Sequence, residues 1–278
     1  CDFIGSTHTL ISSHKLKSLS WVSPIVRNTD GLTIYEEPKE DHTYVCTVDT
    51  SRGQGKDYSA CTVVDITQMP YKLVAKYRNN IISPMVYPTV VKSLCEQFNK
   101  AFCLVEINDI GGQVADILHA DLEYENVLMC STKGRKGQVI SGGFGGGSAQ
   151  MGVRTTQVVK KLGCSVLKSL IEEDKLIVED METVGELITF IAKKSSFEAD
   201  DGHNDDLVMC LVLFSWLSRQ DYFKDLTNVD TRTAIYEDEI ARLEDEMTPF
   251  GFVINSDDEV ETFWDGESRW YESDLWKE

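Results

Sequence analysis

Residues 43–77 read TYVCTVDTSRGQGKDYSACTVVDITQMPYKLVAKY, and this stretch decides the fold class. It contains three short runs rich in β-branched and aromatic residues, at 43–50, 59–66 and 71–77, with turn-forming residues between them. Links this short join antiparallel neighbours. The stretch therefore predicts a three-stranded meander.

Helices and strands alternate after the meander. Val90, Val91, Leu94, Cys95 and Phe98 keep a helical spacing, which predicts a helix over 86–99. The later patterns predict strands at 102–107, 126–131 and 175–179, helices at 114–122, 155–173, 182–194 and 205–219, and a glycine-rich loop at 142–152. The order βββαβαβαβα is that of the ribonuclease H-like fold, in which a mixed five-stranded sheet is flanked by helices.

Length and composition indicate one main domain with appended ends. The chain has 278 residues, of which 42% are hydrophobic, and residues 1–40 show no sustained period. We expect a connector or the end of a preceding domain at 1–40, the α/β domain at 41–220 and an acidic tail at 221–278. The first residue is Cys1 rather than Met, so we expect a fragment of a longer protein. No apolar run approaches the ~20 residues of a membrane span, and no secretory signal is present, which favours a soluble intracellular protein.

The eight cysteines form no C-x-x-C pair, and most of them lie in apolar stretches. This pattern predicts reduced core residues, neither disulfides nor a zinc site.

Charge is distributed unevenly along the chain. The net charge is −19, but residues 221–278 hold 18 acidic and 5 basic residues. Residues 126–171 contain no acidic residue and seven basic ones, which we call the basic band. A solvated surface would explain the band, but it also suits contact with a phosphate backbone. The candidate DNA-binding residues are Arg135, Lys136, Arg154, Lys160 and Lys161.

Two acidic residues stand where predicted strands end. Asp49 closes the first strand and precedes a glycine-rich turn, and Glu106 closes the fourth. In the ribonuclease H-like fold these strands are neighbours, so the two carboxylates would lie about 5 Å apart at one sheet edge. Either acid alone could simply form a turn or cap.

Asp205 and Asp206 begin the apolar helix LVMCLVLFSWL. At 100° per residue, Asp206 lies within about 20° of Leu213 and Leu217, whereas Asp205 is turned about 100° away and Ser215 falls on a more polar side. Acids in a first turn stabilise any helix, but that does not explain one aimed at the sheet, where an unpaired charge is costly.

A bound divalent cation would explain this arrangement, because hard cations prefer carboxylate oxygens. Asp49, Glu106 and Asp206 then form one catalytic and metal-binding site. Such a cluster suits two-metal phosphodiester chemistry with Mg²⁺ or Mn²⁺, with two ions roughly 3.5–4 Å apart.

Four segments carry a resemblance to a known family: VDTSRGQGKDYSA, LVEINDIGGQVADILHADLEYENV, KKLGCSVLKSLIEEDKLIVED and DGHNDDLVMCLVLFSWLS. They resemble the C-terminal nuclease domain of the large terminase subunit of T-even-type tailed bacteriophages, over about residues 43–220. The family's catalytic acids fall on Asp49, Glu106 and Asp206, and Asp57 matches a further family acid. Residues 1–40 resemble the end of the packaging ATPase domain.

The resemblance implies an endonuclease that cuts double-stranded viral DNA at the start and end of headful packaging. It also implies three partners, namely the portal protein, the small terminase subunit and the ATPase domain of the same full-length chain, without a membrane. The expected location is the host cell cytoplasm, transiently at the portal vertex of the procapsid. The chain contains no G-x-x-x-x-G-K-[ST] motif, so we expect no ATP hydrolysis by it.

Two other classes remain open at this point. Actin-like and sugar-kinase ATPases have related folds and pair an aspartate with a glycine-rich turn, so DTSRGQG could bind a nucleotide. A non-enzymatic module that docks on the portal through its acidic tail is compatible with the nuclease. Nucleotide binding without DNA cleavage would identify the first class.

Overall fold

The structure is a computed structural model that describes residues 8–133, 137–141, 149–193, 196–227, 262–264 and 269–271. The chain divides into two compact units, Cys1–Thr227 and Asn228–Glu278. In chain order the larger unit contains α1 (Ser13–Ser18), β1 (Val26–Arg27), β2 (Leu32–Ile34), β3 (Tyr44–Asp49), β4 (Ser59–Asp65), β5 (Tyr71–Asn79), α2 (Tyr87–Gln97), β6 (Phe102–Val105), α3 (Gly111–Asp116), a π-helical turn (Ile117–Asp121), β7 (Met129–Lys133), β8 (Gly137–Ser141), β9 (Gln150–Met151), α4 (Gln157–Glu172), β10 (Leu176–Ile177), α5 (Met181–Thr189), β11 (Phe190–Lys193), β12 (Ser196–Ala199), α6 (Asp206–Leu217) and α7 (Asp221–Thr227). The smaller unit contains an antiparallel pair, β13 (Thr262–Trp264) and β14 (Arg269–Tyr271).

The central sheet has the order β1-β2-β5-β4-β3-β6, and β10 pairs with β5. Strands β3, β4 and β5 are antiparallel to one another, which confirms the predicted meander. Strand β6 runs parallel to β3, so the sheet is mixed and the ribonuclease H-like class is confirmed. The sheet has seven strands rather than the five expected, because β1, β2 and β10 extend it beyond β5.

Both faces of the sheet are buried. Val45 and Val64 belong to one core, which also contains residues of α4 and α6. Their chain neighbours Cys46 and Val63 point to the opposite core, beside residues of α2 and α3. This two-sided burial explains why the strands are continuously apolar rather than alternating.

Helix α6 is buried along its whole length, from Asp206 to Leu217. It packs on β3 and β4 and also against α4 and α5. The polar side that the helical wheel suggested is therefore covered, and Ser215 donates a hydrogen bond to the carbonyl oxygen of Leu211 at 2.8 Å. Close approach of α4 requires Gly163, because an added Cβ there would lie 2.5 Å from the carbonyl oxygen of Val212.

Two predicted elements differ from the structure. The helix expected over 182–194 ends at Thr189, and the chain continues as the β11–β12 hairpin, in which Phe190 stacks on Phe197. The apolar residues at 190 and 191 fit the spacing of a helix as well as that of a strand, and tertiary packing decides between the two. The strand expected at 126–131 begins at Met129 and belongs to a separate three-stranded sheet, β8-β7-β9. The preceding residues meet the main sheet at Cys103, through the Val127 bridge and backbone hydrogen bonds of Asn126 and Leu128.

The first forty residues contribute to the larger unit. Leu10, Ile11 and Leu16 are buried in the same core as α6. Strand β2 pairs antiparallel with β5, with Leu32 opposite Tyr77. Among the described residues, no helix is long and apolar enough to cross a membrane.

Candidate active site

Neighbouring parallel strands place two carboxylates side by side. Asp49 is the last residue of β3, and Glu106 directly follows β6. Val48 and Val105 are partners in the ladder, and the N–H of Glu106 donates to the carbonyl oxygen of Val48 at 2.8 Å. The loop after β6 turns back tightly over this position, since a Cβ added to Gly111 would lie 1.8 Å from the carbonyl oxygen of Glu106. The predicted neighbourhood of the two acids is therefore present.

Helix α6 brings Asp206 to the same edge. Asp206 begins the helix and is only 8% exposed. The backbone N–H of Tyr58 donates to its Oδ1 at 3.2 Å, while its Oδ2 is buried and has no hydrogen-bond partner among the described residues. The helix is held against β3 by a hydrogen bond from Thr47 Oγ1 to the carbonyl oxygen of Cys210 at 2.9 Å. A buried acceptor without a donor is costly unless a cation meets it.

Asp49 and Asp206 both have raised pKa values. Burial raises the pKa of Asp49 well above its ordinary value, and the neighbouring charges of Glu106 and Asp206 add to the effect. Burial also raises the pKa of Asp206 to about 6, although the N–H of Tyr58 opposes the shift. Like charges this close resist ionising together unless a cation compensates them. The donor set, three carboxylates with an unpartnered buried oxygen, thus fits a hard divalent ion.

Asp49 and Asp206 open onto a surface recess of about 330 Å³. Its walls combine Asp49 and Asp206 with the loop that follows β3 and with Asp109 from the loop that follows β6. Asp57 also lines the recess, and its charge contributes to the raised pKa of Asp206. Asp49 and Asp206 are therefore reachable from solvent, beside two further acids, Asp57 and Asp109.

Asp205 and Asp206 face different surroundings. Asp205 Oδ2 accepts the backbone N–H of Ala199 in β12 at 3.2 Å, and burial raises its pKa. Asp205 lies at the N-cap of α6 but makes no capping bond with its side chain. The two acids thus point apart, as the helical wheel predicted.

The cap of α6 comes from Glu186, which the sequence did not reveal. Glu186 Oε2 accepts the N–H groups of Leu207 at 2.9 Å and Val208 at 3.1 Å. Glu186 is buried, which raises its pKa to about 8 despite an ion pair with Arg78 at 3.0 Å. The Arg78 guanidinium in turn lies 3.8 Å from the ring centroid of Tyr58, the residue that donates to Asp206. No local pattern links a helix-interior glutamate to a helix start twenty residues later, so no sequence signal could have found it.

Glu106 also has a neighbour that was not predicted. Asn108 Nδ2 donates to Glu106 Oε1 at 3.0 Å and to the carbonyl oxygen of Thr155 at 3.2 Å. Asn108 therefore joins the carboxylate to the segment that leads into α4.

The structure describes the basic band only in part. Arg135 and Lys136 lie outside the described residues, and Arg154 is exposed just before α4. Lys160 lines a recess of about 400 Å³ beside Lys193. Lys161, one position further along the helix, lines a different recess with Lys168. The DNA-binding assignment of these residues stays a prediction.

A second group of potential metal ligands lies in the core. The Sγ atoms of Cys46, Cys95 and Cys103 are within 4.8 Å of one another, and all three side chains are fully buried. Cys46 and Cys103 are direct partners in the β3–β6 ladder. Sequence spacing could not predict this trio, which the sheet assembles. Thiols suit soft ions, unlike the carboxylate site, and their enclosure excludes contact with a substrate.

Comparison with known proteins identifies the family and the fold. Residues 46–228 match the terminase RNaseH-like domain family. The large terminase nuclease from thermophilic phage G20c with bound magnesium is 21% identical, with a TM-score of 0.58 over 78% of this chain and 100% of that one. The same nuclease with bound cobalt gives a TM-score of 0.57 at 21% identity, over the same shares of the two chains. The Thermus phage P74-26 large terminase nuclease domain is 22% identical, with a TM-score of 0.54 over 74% of this chain and 93% of that one. At these identities the structural matches establish the fold.

Proposed function

The chain belongs to the terminase RNaseH-like domain family, and from this premise we propose that it is the nuclease domain of a phage large terminase subunit. Its activity would be metal-dependent endonucleolytic cleavage of double-stranded viral DNA at the start and end of headful packaging. The observation that carries the proposal is the convergence of Asp49, Glu106 and Asp206 at one sheet edge, with Asp206 Oδ2 buried and without a hydrogen-bond partner among the described residues. The four segments quoted from the sequence support a T-even-type relative within the family.

Asp49, Glu106 and Asp206 would hold the metal, as two Mg²⁺ or Mn²⁺ ions. When bound, such ions activate a water and stabilise the leaving oxygen of a phosphodiester. The surrounding residues fix the carboxylates in place: the N–H of Tyr58 orients Asp206, and Asn108 Nδ2 orients Glu106. The solvent-exposed recess gives room for a DNA backbone beside them. The solved structures of similar nucleases with bound magnesium, cobalt and zinc support metal dependence.

The substrate and the partners are part of the same proposal. We propose double-stranded DNA as substrate, contacted by the basic band, and the portal protein, small terminase subunit and ATPase domain as assembly partners. The site of action would be the portal vertex of the procapsid in the host cytoplasm. Residues 1–40 would then be the end of the preceding ATPase domain.

A plasmid assay tests the proposal directly. Purified chain is incubated with supercoiled plasmid in Mg²⁺, in Mn²⁺ and in EDTA, and the products are separated on a gel. We expect nicked and linear DNA with either ion and intact plasmid in EDTA. Asp206→Asn should leave the plasmid intact under all three conditions. Cleavage by Asp206→Asn as fast as by wild type would show that the activity does not come from this site.

A further inference from the structure

A bidentate ion pair bridges the two loops that follow Asp49 and Glu106. Arg52, three residues after Asp49, donates from Nε to Asp109 Oδ2 at 2.7 Å and from Nη2 to Asp109 Oδ1 at 2.5 Å. Asp109 lies three residues after Glu106 on the other loop. Both residues line the recess that contains Asp49 and Asp206.

This pair is exposed, with 61% of the Arg52 side chain and 57% of the Asp109 side chain accessible. Exposed ion pairs contribute little to folding stability, because water solvates the separated charges nearly as well. Folding stability is therefore a weak explanation for an ion pair that fixes two exposed side chains in one geometry. Its position in the recess gives it another role.

The recess is short of positive charge for a nucleic-acid substrate. Of its described lining residues, four are acids and two, Arg52 and Lys56, are cations. Only Arg52 offers a planar fork of N–H donors, and a carboxylate and a phosphate present similar pairs of oxygens to such a fork. Asp109 therefore occupies the guanidinium in the way that a phosphate would.

We infer that Arg52 is the residue that grips a backbone phosphate of the DNA beside the three carboxylates, and that Asp109 competes with this phosphate for the same guanidinium. DNA binding then exchanges the Arg52–Asp109 pair for an Arg52–phosphate pair. Asp109 keeps the fork oriented over the recess in free protein and weakens DNA binding by its competition. This inference rests on the proposed nuclease function and specifies how its substrate is held.

The competing explanation is a structural clamp, in which the pair merely ties the two loops together. The two explanations predict different signs. Removing either partner breaks a clamp equally, so Arg52→Gln and Asp109→Asn would impair the protein alike. Under competition for the guanidinium, Arg52→Gln weakens DNA binding and Asp109→Asn strengthens it.

The experiment measures single-turnover cleavage of a short duplex in Mg²⁺ at increasing protein concentration, which yields a half-saturation concentration and a maximal rate. For Arg52→Gln we expect the half-saturation concentration to rise about tenfold or more, as for loss of a hydrogen bond to a charged group. Its dependence on salt should fall by about one unit of slope, as for one lost phosphate contact. For Asp109→Asn we expect the half-saturation concentration to fall about two- to fivefold, the range expected from releasing an exposed ion pair.

Arg52→Lys provides a second variant that keeps the charge and removes the fork. It should recover the salt slope but only part of the affinity. Lys175→Gln and Glu173→Gln are matched controls, since they form another exposed ion pair, 2.5 Å long and outside the recess. Each control removes one charge and should leave the half-saturation concentration within about twofold of wild type, as for a charge change far from the bound phosphate. Thermal unfolding of each variant verifies that it is folded.

The outcomes separate the inference from the proposed function. Suppose that wild type cleaves the duplex, but that Arg52→Gln and Asp109→Asn shift the half-saturation concentration in the same direction or not at all. That result overturns the inference and leaves the proposed nuclease function standing. The inference is supported if the half-saturation concentration rises in Arg52→Gln, falls in Asp109→Asn and stays unchanged in the two controls. A wild-type chain that neither binds nor cuts the duplex overturns both.

Discussion

At the scale of single residues, Asp206 and its neighbour Asp205 are chemically the same but have different hydrogen-bond partners. Asp206 Oδ2 is buried beside Asp49 and has no donor in the part of the chain that the structure describes, whereas Asp205 Oδ2 accepts the N–H of Ala199 in β12. Asp206 thus has one carboxylate oxygen bound by the N–H of Tyr58 and a second, buried oxygen that is open to a cation, whereas Asp205 is bonded to β12. Their substitutions should therefore have different consequences.

Asp49→Asn, Glu106→Gln and Asp206→Asn should each reduce plasmid cleavage below detection, because an amide cannot replace a carboxylate ligand of a divalent ion. Asp205→Asn is the matched control, with the same charge change one residue away. It should retain measurable cleavage, reduced about 10–100-fold as for typical residues that act through a metal ligand. Initial rates at several Mg²⁺ concentrations distinguish these cases. Equal loss in Asp205→Asn and Asp206→Asn would contradict the orientation of α6.

The raised pKa of Asp206 predicts a stability that depends on pH in the absence of metal. The folded protein binds this proton up to about pH 6, whereas the unfolded chain releases it near its ordinary pKa of 3.8. The folded state therefore holds more protons between these values, and the free energy of unfolding should fall as pH rises from about 4 to about 6. Asp206→Asn should reduce this fall by up to about 3 kcal/mol, since one pKa unit corresponds to about 1.4 kcal/mol.

Urea unfolding in EDTA at pH 4.5, 5.5 and 6.5 measures this dependence. Mg²⁺ should stabilise wild type above pH 6 and leave Asp206→Asn nearly unchanged, because binding to the folded state alone raises its stability. A wild-type stability that rises with pH over this interval, beyond the change seen in Asp206→Asn, would argue against the raised pKa.

At the scale of elements, the site depends on how α6 starts. Glu186 of α5 accepts two N–H groups from the first turn of α6, and Arg78 of β5 pairs with it. A strand and a neighbouring helix thus hold the helix that carries Asp206. Helix starts leave unpaired N–H groups, and here a distant side chain satisfies them.

Glu186→Ala should destabilise the protein by about 1–3 kcal/mol, because it leaves two buried N–H groups and the Arg78 charge without their partner. Glu186→Gln keeps an acceptor oxygen and should lose less stability. Urea unfolding gives the stabilities, and the Mg²⁺ concentration for half-maximal cleavage reports the position of Asp206. We expect Glu186→Ala to need several times more Mg²⁺, as for residues that orient a ligand. An unchanged Mg²⁺ requirement would mean that the cap serves folding alone.

At the scale of the whole molecule, charge is divided between the two compact units. Residues 228–278 contain 16 acidic and 4 basic residues, whereas the larger unit holds the basic band. The larger unit extends through α7, whose Phe223 and Leu226 are buried. A truncation that respects the fold therefore follows Thr227 rather than residue 220.

Removal of residues 228–278 should raise DNA affinity severalfold at low salt, because an acidic segment competes with DNA for basic side chains and repels the backbone. The gain should largely disappear near 1 M salt, where the screening length falls to about 3 Å. Fluorescence anisotropy of a labelled duplex in EDTA, over a salt series, measures both. A full-length variant in which the acidic residues of 257–278 are neutralised is the control, because it removes negative charge without shortening the chain. Equal DNA affinity of the full and truncated chains at every salt concentration would show that the tail does not affect DNA binding.

The sequence alone determined the meander and the mixed α/β class, and it predicted that the three acids of the proposed site lie together. These features are local or periodic: strand ends marked by Asp49 and Glu106, and the side of α6 that carries Asp206. Because parallel neighbours end at the same sheet edge, knowing the fold class was enough to bring these acids together.

Only the tertiary structure decided the features that join distant segments. Glu186 caps α6, Arg52 meets Asp109 across two loops, and three cysteines cluster in the core. The ends of ambiguous apolar runs, such as the turn from α5 into β11 at Phe190, were also decided there. Hydrogen bonds, ion pairs and burial depend on distances in space, and neither residue spacing nor periodicity encodes which partner a side chain will meet.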